Sequence, residues 1–155
     1  LSDVKDELNI THQTGKLDFE TVKKGYADNG WNEADVREYI SDMVSEFAKT
    51  DLIISRAGAT TCAEVAAAGK VAIMIPLPTA ADDHQRKNAE SLENNGAAKM
   101  IIQKDLNGES LANEIKNFIN SPEKITEMEK SAKKMAKKDA ASVTVDLIED
   151  IAKGA

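Results

Sequence analysis

Residues 51–76 read DLIISRAGATTCAEVAAAGKVAIMIP, and this stretch decides the fold. Asp51 to Ser55 is a short aliphatic run, Thr61 to Ala68 a run of small helix formers closed by Gly69, and Val71 to Ile75 a second unbroken apolar run. Strands buried on both faces carry no polar alternation, so two apolar runs joined by a helix make the crossover unit of a parallel sheet. The helix is built from Ala and Val, which lets it lie close against that sheet.

Working outward, the same alternation of short apolar runs and longer helical periods predicts strands near Asn9–Gln13, Asp35–Ile40, Asp51–Ser55, Val71–Ile75 and Ala98–Ile102. Between the first two, Phe19, Val22 and Tyr26 form a helical stripe closed by Asn29-Gly30. A helix over Ser41–Thr50 starts at a capping residue and turns Met43, Phe47 and Val44 inward. Another runs from Gln85 to Asn95 and stops at Gly96. The last third reads as three helices, carrying Leu111, Ile115, Phe118 and Ile119, then Ile125, Met128 and Met135, then Val143, Leu147 and Ile151. The class is α/β. Leu1 to Leu8 resembles the tail of a helix with no strand before it, so a first strand-helix unit is expected to be missing.

At 155 residues the chain is expected to be a single domain, residues 1–155. A net charge of -7 excludes nucleic-acid binding through bulk electrostatics. The late basic residues Lys130, Lys133, Lys134, Lys137 and Lys138 read as a solvated helix face, with contact to an anionic membrane surface as the alternative. A single cysteine, Cys62, forms no internal disulfide and reads as a small core residue. Two histidines and that cysteine give no metal-ligand spacing, and neither a metal nor a cofactor is expected. No apolar run approaches the ~20 residues that span a bilayer, so a soluble, cytoplasmic protein is expected.

Ligands of parallel α/β sheets bind at the carboxyl ends of the strands, beside helix N-termini. Ser55 to Glu64 is such a junction: a strand end, a small-residue turn, and a helix start whose free N–H groups suit a phosphate or diphosphate. Gly58 and Ala59 leave room for close approach. Thr60 or Thr61 either caps the helix or bonds a phosphate oxygen. Glu64, placed in the first turn, either matches the helix dipole or accepts two hydrogen bonds from a ribose diol. After the next strand, Asp83, His84, Gln85 and Asn88 offer both donors and acceptors, which suits a sugar with several hydroxyls and equally a solvated helix start. Asp82 and Asp83 beside His84 are adjacent in sequence but not thereby oriented for acid-base or metal chemistry. His12-Gln-Thr-Gly15 reads as a strand end and glycine turn.

Taken in order, His12-Gln-Thr-Gly-Lys16, Tyr39-Ile-Ser-Asp-Met43, Arg56 to Gly69, Pro76, Asp83-His-Gln-Arg-Lys-Asn-Ala89 and Asn95-Gly-Ala-Ala98 closely resemble the MurG family of UDP-N-acetylglucosamine transferases. The likeness runs from His12 to Gln103. It implies a Rossmann-like parallel sheet flanked by helices, the C-terminal half of a two-domain GT-B glycosyltransferase lacking its first strand-helix unit, with a helical tail.

By that resemblance the donor is UDP-N-acetylglucosamine. The backbone around Ile40 meets the uracil ring with Met43 nearby, Ala59, Thr60 and Thr61 lie by the diphosphate, and Glu64 accepts the ribose hydroxyls. His84 and Gln85 fall at a paired-glutamine position that contacts the sugar; His84 departs from that version and Gln85 keeps it. The lipid-linked acceptor, a pyrophosphoryl-undecaprenyl N-acetylmuramoyl pentapeptide, belongs to the N-terminal domain, which also carries the base. No catalytic residue is therefore expected within this chain, whose longer parent is expected at the inner face of the bacterial plasma membrane. Two departures stand out: the family's Gly-Gly-Ser loop should precede Leu1, and the acceptor domain has no counterpart here. An unfilled sheet position implies self-association or marginal stability of the chain by itself. Alternatives are a donor-binding subunit that works with a separate membrane-bound partner and a noncatalytic UDP-sugar-binding module.

Overall fold

A computed structural model describes residues 1–137 and 139–154. The strand least interrupted by polar residues becomes the most buried: β4, Val71–Met74, has no solvent exposure at any position. Side chains of a strand alternate between faces. Ala72 and Met74 therefore join a cluster with Ile53, Val65, Ala89 and Leu92, while Val71 and Ile73 join Ile101, Ile115, Phe118 and Met128. The first layer is supplied by α3 (Ala59–Ala68) and α4 (His84–Asn94), the second largely by α5 (Gly108–Ile119) and α6 (Pro122–Met135). Each fully buried aliphatic or aromatic side chain contributes about 1.5–3 kcal/mol, so helices on both faces hold β4 in place.

All five strands form, each shorter than the apolar pattern suggested: β1 Thr11–Gln13, β2 Asp35–Arg37, β3 Leu52–Ser55, β4, and β5 Ala98–Met100. They make two parallel ladders, β1 beside β2, and β3-β4-β5 with β4 in the middle. The outer residues still bond past the ladder ends, as Ile75 N–H does to Ser55 O at 2.8 Å and Asp35 N–H to Ile10 O at 2.8 Å. No ladder joins β1 to β3 among the described residues.

Helix α1 (Phe19–Asp28) ends at Asn29-Gly30 as the sequence indicates, with Gly30 at φ +77°. Helix α2 (Met43–Lys49) is capped by Asp42, not Ser41: the Asp42 carboxylate accepts from Ser45 N at 3.0 Å. That shift leaves Val44 83% exposed rather than inward, while Phe47 packs against the core. Leu1 to Leu8 contains a 3-10 segment, Ser2–Glu7, interrupted at Val4, and not the tail of an α-helix. Leu1 and Leu8 pack beside the α5 cluster, and Lys116 reaches Asp3 at 2.7 Å.

Helix α7 (Ala140–Lys153) presents Val143, Leu147 and Ile151 to solvent. Lys130, Lys133, Lys134 and Lys137 are exposed, in keeping with a solvated face; Lys138 lies outside the described residues. No described helix is long and apolar enough to cross a membrane.

The turn from α3 into β4 depends on Gly69, at φ +63°, with the Lys133 stem lying across it. A left-handed conformation costs an L-residue about 1–2 kcal/mol. Gly69→Ala should lower the unfolding free energy by at least that amount in thermal or urea melts, because an added Cβ would also collide with the Lys133 stem. Gly58→Ala is the contrast: φ is −63° and the nearest atom to an added Cβ is 3.9 Å away, so no strain is introduced and any loss in melting should be the smaller one expected where Ala replaces Gly at a helix start.

Candidate functional site

The carboxyl ends of the parallel strands carry two groups of loops. In the first, β3 ends at Ser55 and the chain turns through Arg56-Ala57-Gly58 into α3. Gly58 is the N-cap, with extended backbone and no side-chain cap, and the first helical bond runs from Cys62 N to Gly58 O at 2.9 Å. Neither Thr60 nor Thr61 caps the helix: α3 begins at Ala59, which puts both threonines inside its first turn. Small residues allow this earlier start. The N–H groups of Ala59, Thr60 and Thr61 consequently have no partner among the described residues. Such a bare helix start favours an anion.

The earlier start also moves Glu64. It falls in the second turn of α3, not the first, and no acidic residue lies in the first turn. Dipole matching therefore does not account for this carboxylate, which is exposed and makes no hydrogen bond or ion pair among the described residues. Its freedom suits a diol, which a carboxylate can hold through two hydrogen bonds.

The loop after β4 is tied to the loop after β3. Asn88 Nδ2 donates to Ala57 O at 3.0 Å, and Arg56 donates to Ile75 O at 3.2 Å and Gln103 Oε1 at 2.6 Å. Asn88 thus commits one of its two N–H donors to the framework. Gln85 accepts from Leu77 N at 3.0 Å, which holds the loop 77–85 closed at its base. Asp82 and Asp83 both adopt left-handed backbone, φ 49° and 54°, which turns the chain abruptly into α4. His84 Nδ1 bonds Ala81 O at 2.7 Å; a carbonyl only accepts, so Nδ1 carries the hydrogen, and Nε2 has no partner among the described residues. His84 makes no bond to Asp82 or Asp83, and no group of three His, Cys, Asp or Glu could hold a metal among the described residues.

The second group lies after β1 and β2. Ile40 is buried as a whole residue, 8% exposed. Its N–H donates to Gln13 Oε1 at 2.8 Å, a contact the strand-and-turn reading of His12 to Gly15 did not anticipate. Met43, the first residue of α2, is half-buried two residues beyond Ser41.

A depression of about 410 Å³, lined by His12, Val22, Gly25, Tyr26, Asn29 and Trp31, contains none of these residues. Its polar edge is the His12–Tyr26 contact at 3.1 Å, which offers little to a charged nucleotide. The bare helix start and its polar neighbours form an open shelf instead. Cys62 is half-buried against the β3-α3-α4 core, and that burial pushes its thiol up from the ordinary range.

The family model for the glycosyltransferase family 28 C-terminal domain matches residues 1–144. The chain belongs to this family. Among family members it is 46% identical over 151 residues to the UDP-N-acetylglucosamine–N-acetylmuramyl-(pentapeptide) pyrophosphoryl-undecaprenol N-acetylglucosamine transferase of Myxococcus xanthus, covering 97% of this chain and 39% of that protein. It is 50% identical over 145 residues to the enzyme of the same name from a Geobacter species, covering 94% of this chain and 39% of the relative. The chain thus spans about two-fifths of the length of these relatives.

Among solved structures, MurG of Acinetobacter baumannii aligns with TM-score 0.84 at 41% identity, over 92% of this chain and 43% of that one. The glycosyltransferase VinC, solved with dTDP, aligns with TM-score 0.73 over 99% of this chain and 37% of that one. At 16% identity VinC shares the fold alone. The two neighbours bear out the α/β, GT-B-type architecture with parallel strands between helices.

Two outcomes follow for this family 28 domain. Asn88→Ala, which removes the tie to Ala57, should cost about 0.5–1.5 kcal/mol in chemical denaturation. Cys62, held as a thiol, should react with an aromatic disulfide reagent at neutral pH far more slowly in the folded chain than after unfolding; equal rates would contradict its packed position.

Proposed function

We propose that residues 1–155 form the nucleotide-sugar-binding domain of an inverting transferase that uses UDP-N-acetylglucosamine. The observation that carries this reading is the uncapped start of α3, followed by an unpaired Glu64, in a chain 46% and 50% identical to two N-acetylglucosamine transferases. We assign the roles as the family resemblance implies them. The diphosphate accepts from the N–H groups of Ala59, Thr60 and Thr61, with the helix dipole offsetting its charge as the leaving UDP forms. Glu64 accepts the ribose hydroxyls. The Ile40 backbone meets the uracil, with Met43 beside it. Gln85 and the Nε2 of His84 meet sugar hydroxyls, and Asn88 fixes the loop that presents them.

In this reading the acceptor is the pyrophosphoryl-undecaprenyl N-acetylmuramoyl pentapeptide named for the relatives, bound by a part of the protein outside residues 1–155. That part supplies the base that helps the acceptor hydroxyl attack the anomeric carbon. The reaction then takes place at the inner face of the plasma membrane, where such a lipid is within reach.

Glu64 provides the test. In the full-length protein, Glu64→Ala should weaken UDP binding by about 1.5–3 kcal/mol, roughly 10- to 150-fold, through loss of charge-assisted hydrogen bonds. Calorimetric titration of UDP reads the change directly. Unchanged affinity in a folded variant would take Glu64 out of the site, and UDP binding without N-acetylglucosamine transfer in the unmodified protein would favour a noncatalytic binding module.

A further inference from the structure

The β1-β2 ladder does not stop at its last regular pair. It continues through Thr14 N–H to Arg37 O at 3.0 Å and Gly15 N–H to Glu38 O at 3.0 Å. Gly15, at φ +74°, then turns the chain away. The next inward donor, Ile40 N–H, is left without a main-chain acceptor in a residue only 8% exposed. A buried donor needs a partner. Gln13 supplies it from 27 residues away through Oε1 at 2.8 Å.

Gln13 differs from an ordinary structural partner in one respect: the residue itself is exposed, so packing does not lock its side chain. Its carboxamide also carries a particular pattern, a carbonyl acceptor beside an N–H donor. That O=C–N–H edge is the same as one half of the imide of a uracil ring. The Ile40 carbonyl accepts no hydrogen bond among the described residues, so the main chain there presents a donor in use and an acceptor at hand. A uracil edge would address the same two groups.

We infer that Gln13 is a displaceable stand-in for the nucleotide base: its side-chain carbonyl holds the Ile40 N–H until a uracil carbonyl takes it. This rests on the reading of Ile40 as the base contact. The exchange makes Gln13 a determinant of nucleotide affinity, because the fraction of protein with the Gln13–Ile40 bond closed is unavailable to the base. It also keeps the Ile40 donor satisfied between turnovers, when the nucleotide has left.

The inference predicts opposite signs for two substitutions. Gln13→Ala removes the competitor and should tighten UDP binding about two- to tenfold, the range of one modest internal hydrogen bond. Gln13→Glu offers a carboxylate, a stronger acceptor for the same N–H, and should weaken it by a similar factor. Gln13→Met, of similar length without an acceptor, should behave as Gln13→Ala and guards against a local collapse. Calorimetric titrations on the full-length protein, with matched thermal melts, read all three. Uridine is titrated in parallel because it carries no phosphate, which separates competition at the base from repulsion of the diphosphate by the new charge.

Weaker binding of both UDP and uridine by Gln13→Ala and Gln13→Met would overturn the inference and make Gln13 a brace for the Ile40 loop. Unchanged affinities in all three variants would overturn it as well. These outcomes leave the donor-site reading intact. Failure of the unmodified protein to bind UDP or uridine overturns that reading and this inference together.

Discussion

Burial of β4 on both faces is the constraint on which the rest of the structure depends. A strand with no exposed position needs a helical layer above and below, and it needs neighbours on both edges to satisfy its backbone. The α3 and α4 layer and the α5 and α6 layer answer the first need; β3 and β5 answer the second. Parallel pairing then forces each helix to return across the sheet, so the starts of α3 and α4 arrive at the same edge. The candidate site exists because of this geometry, with the bare N–H groups of one helix beside the polar first turn of the next.

Small side chains set how tightly that edge closes. Ala57 and Val65 are fully buried, and Ala66 nearly so, which lets α3 approach β3 and β4 closely. The close approach brings Ala57 within reach of Asn88 on α4 and Arg56 within reach of both Ile75 and Gln103. Three strand ends are thereby fastened by side chains, one of which, Asn88, looked in sequence like a candidate for ligand contact or for solvent. Polar residues at such an edge divide between those that hold the loops and those left over for a ligand. Asn88 belongs mainly to the first kind, and Glu64 has no partner among the described residues.

The strands and most helices were legible because their signals are local: apolar runs for β3 and β4, and Asn29-Gly30, Gly69 and Gly96 as helix stops. Where the sequence misled, a competing local choice won. Asp42 outcompeted Ser41 as a cap because its carboxylate bonds the Ser45 N–H. The α3 start moved to Ala59 because Gly58 can serve as a cap without a side chain, which relocated Thr60, Thr61 and Glu64 along the helix. The Gln13–Ile40 bond was illegible because it depends on where two parallel strands end relative to each other, a register that no local pattern encodes.

The two ladders differ in how firmly they are anchored. Every residue of β4 is sealed from solvent, whereas β1 and β2 contain no fully buried residue and share only three paired positions. Segments with few buried contacts open with little free energy, independently of the main core. Amide exchange should thus run in two regimes, slow along β3-β4-β5 and fast along β1-β2. A nucleotide spanning both would be anchored at its phosphates by a stiff frame and at its base by a compliant one, so binding and release would begin and end at the base.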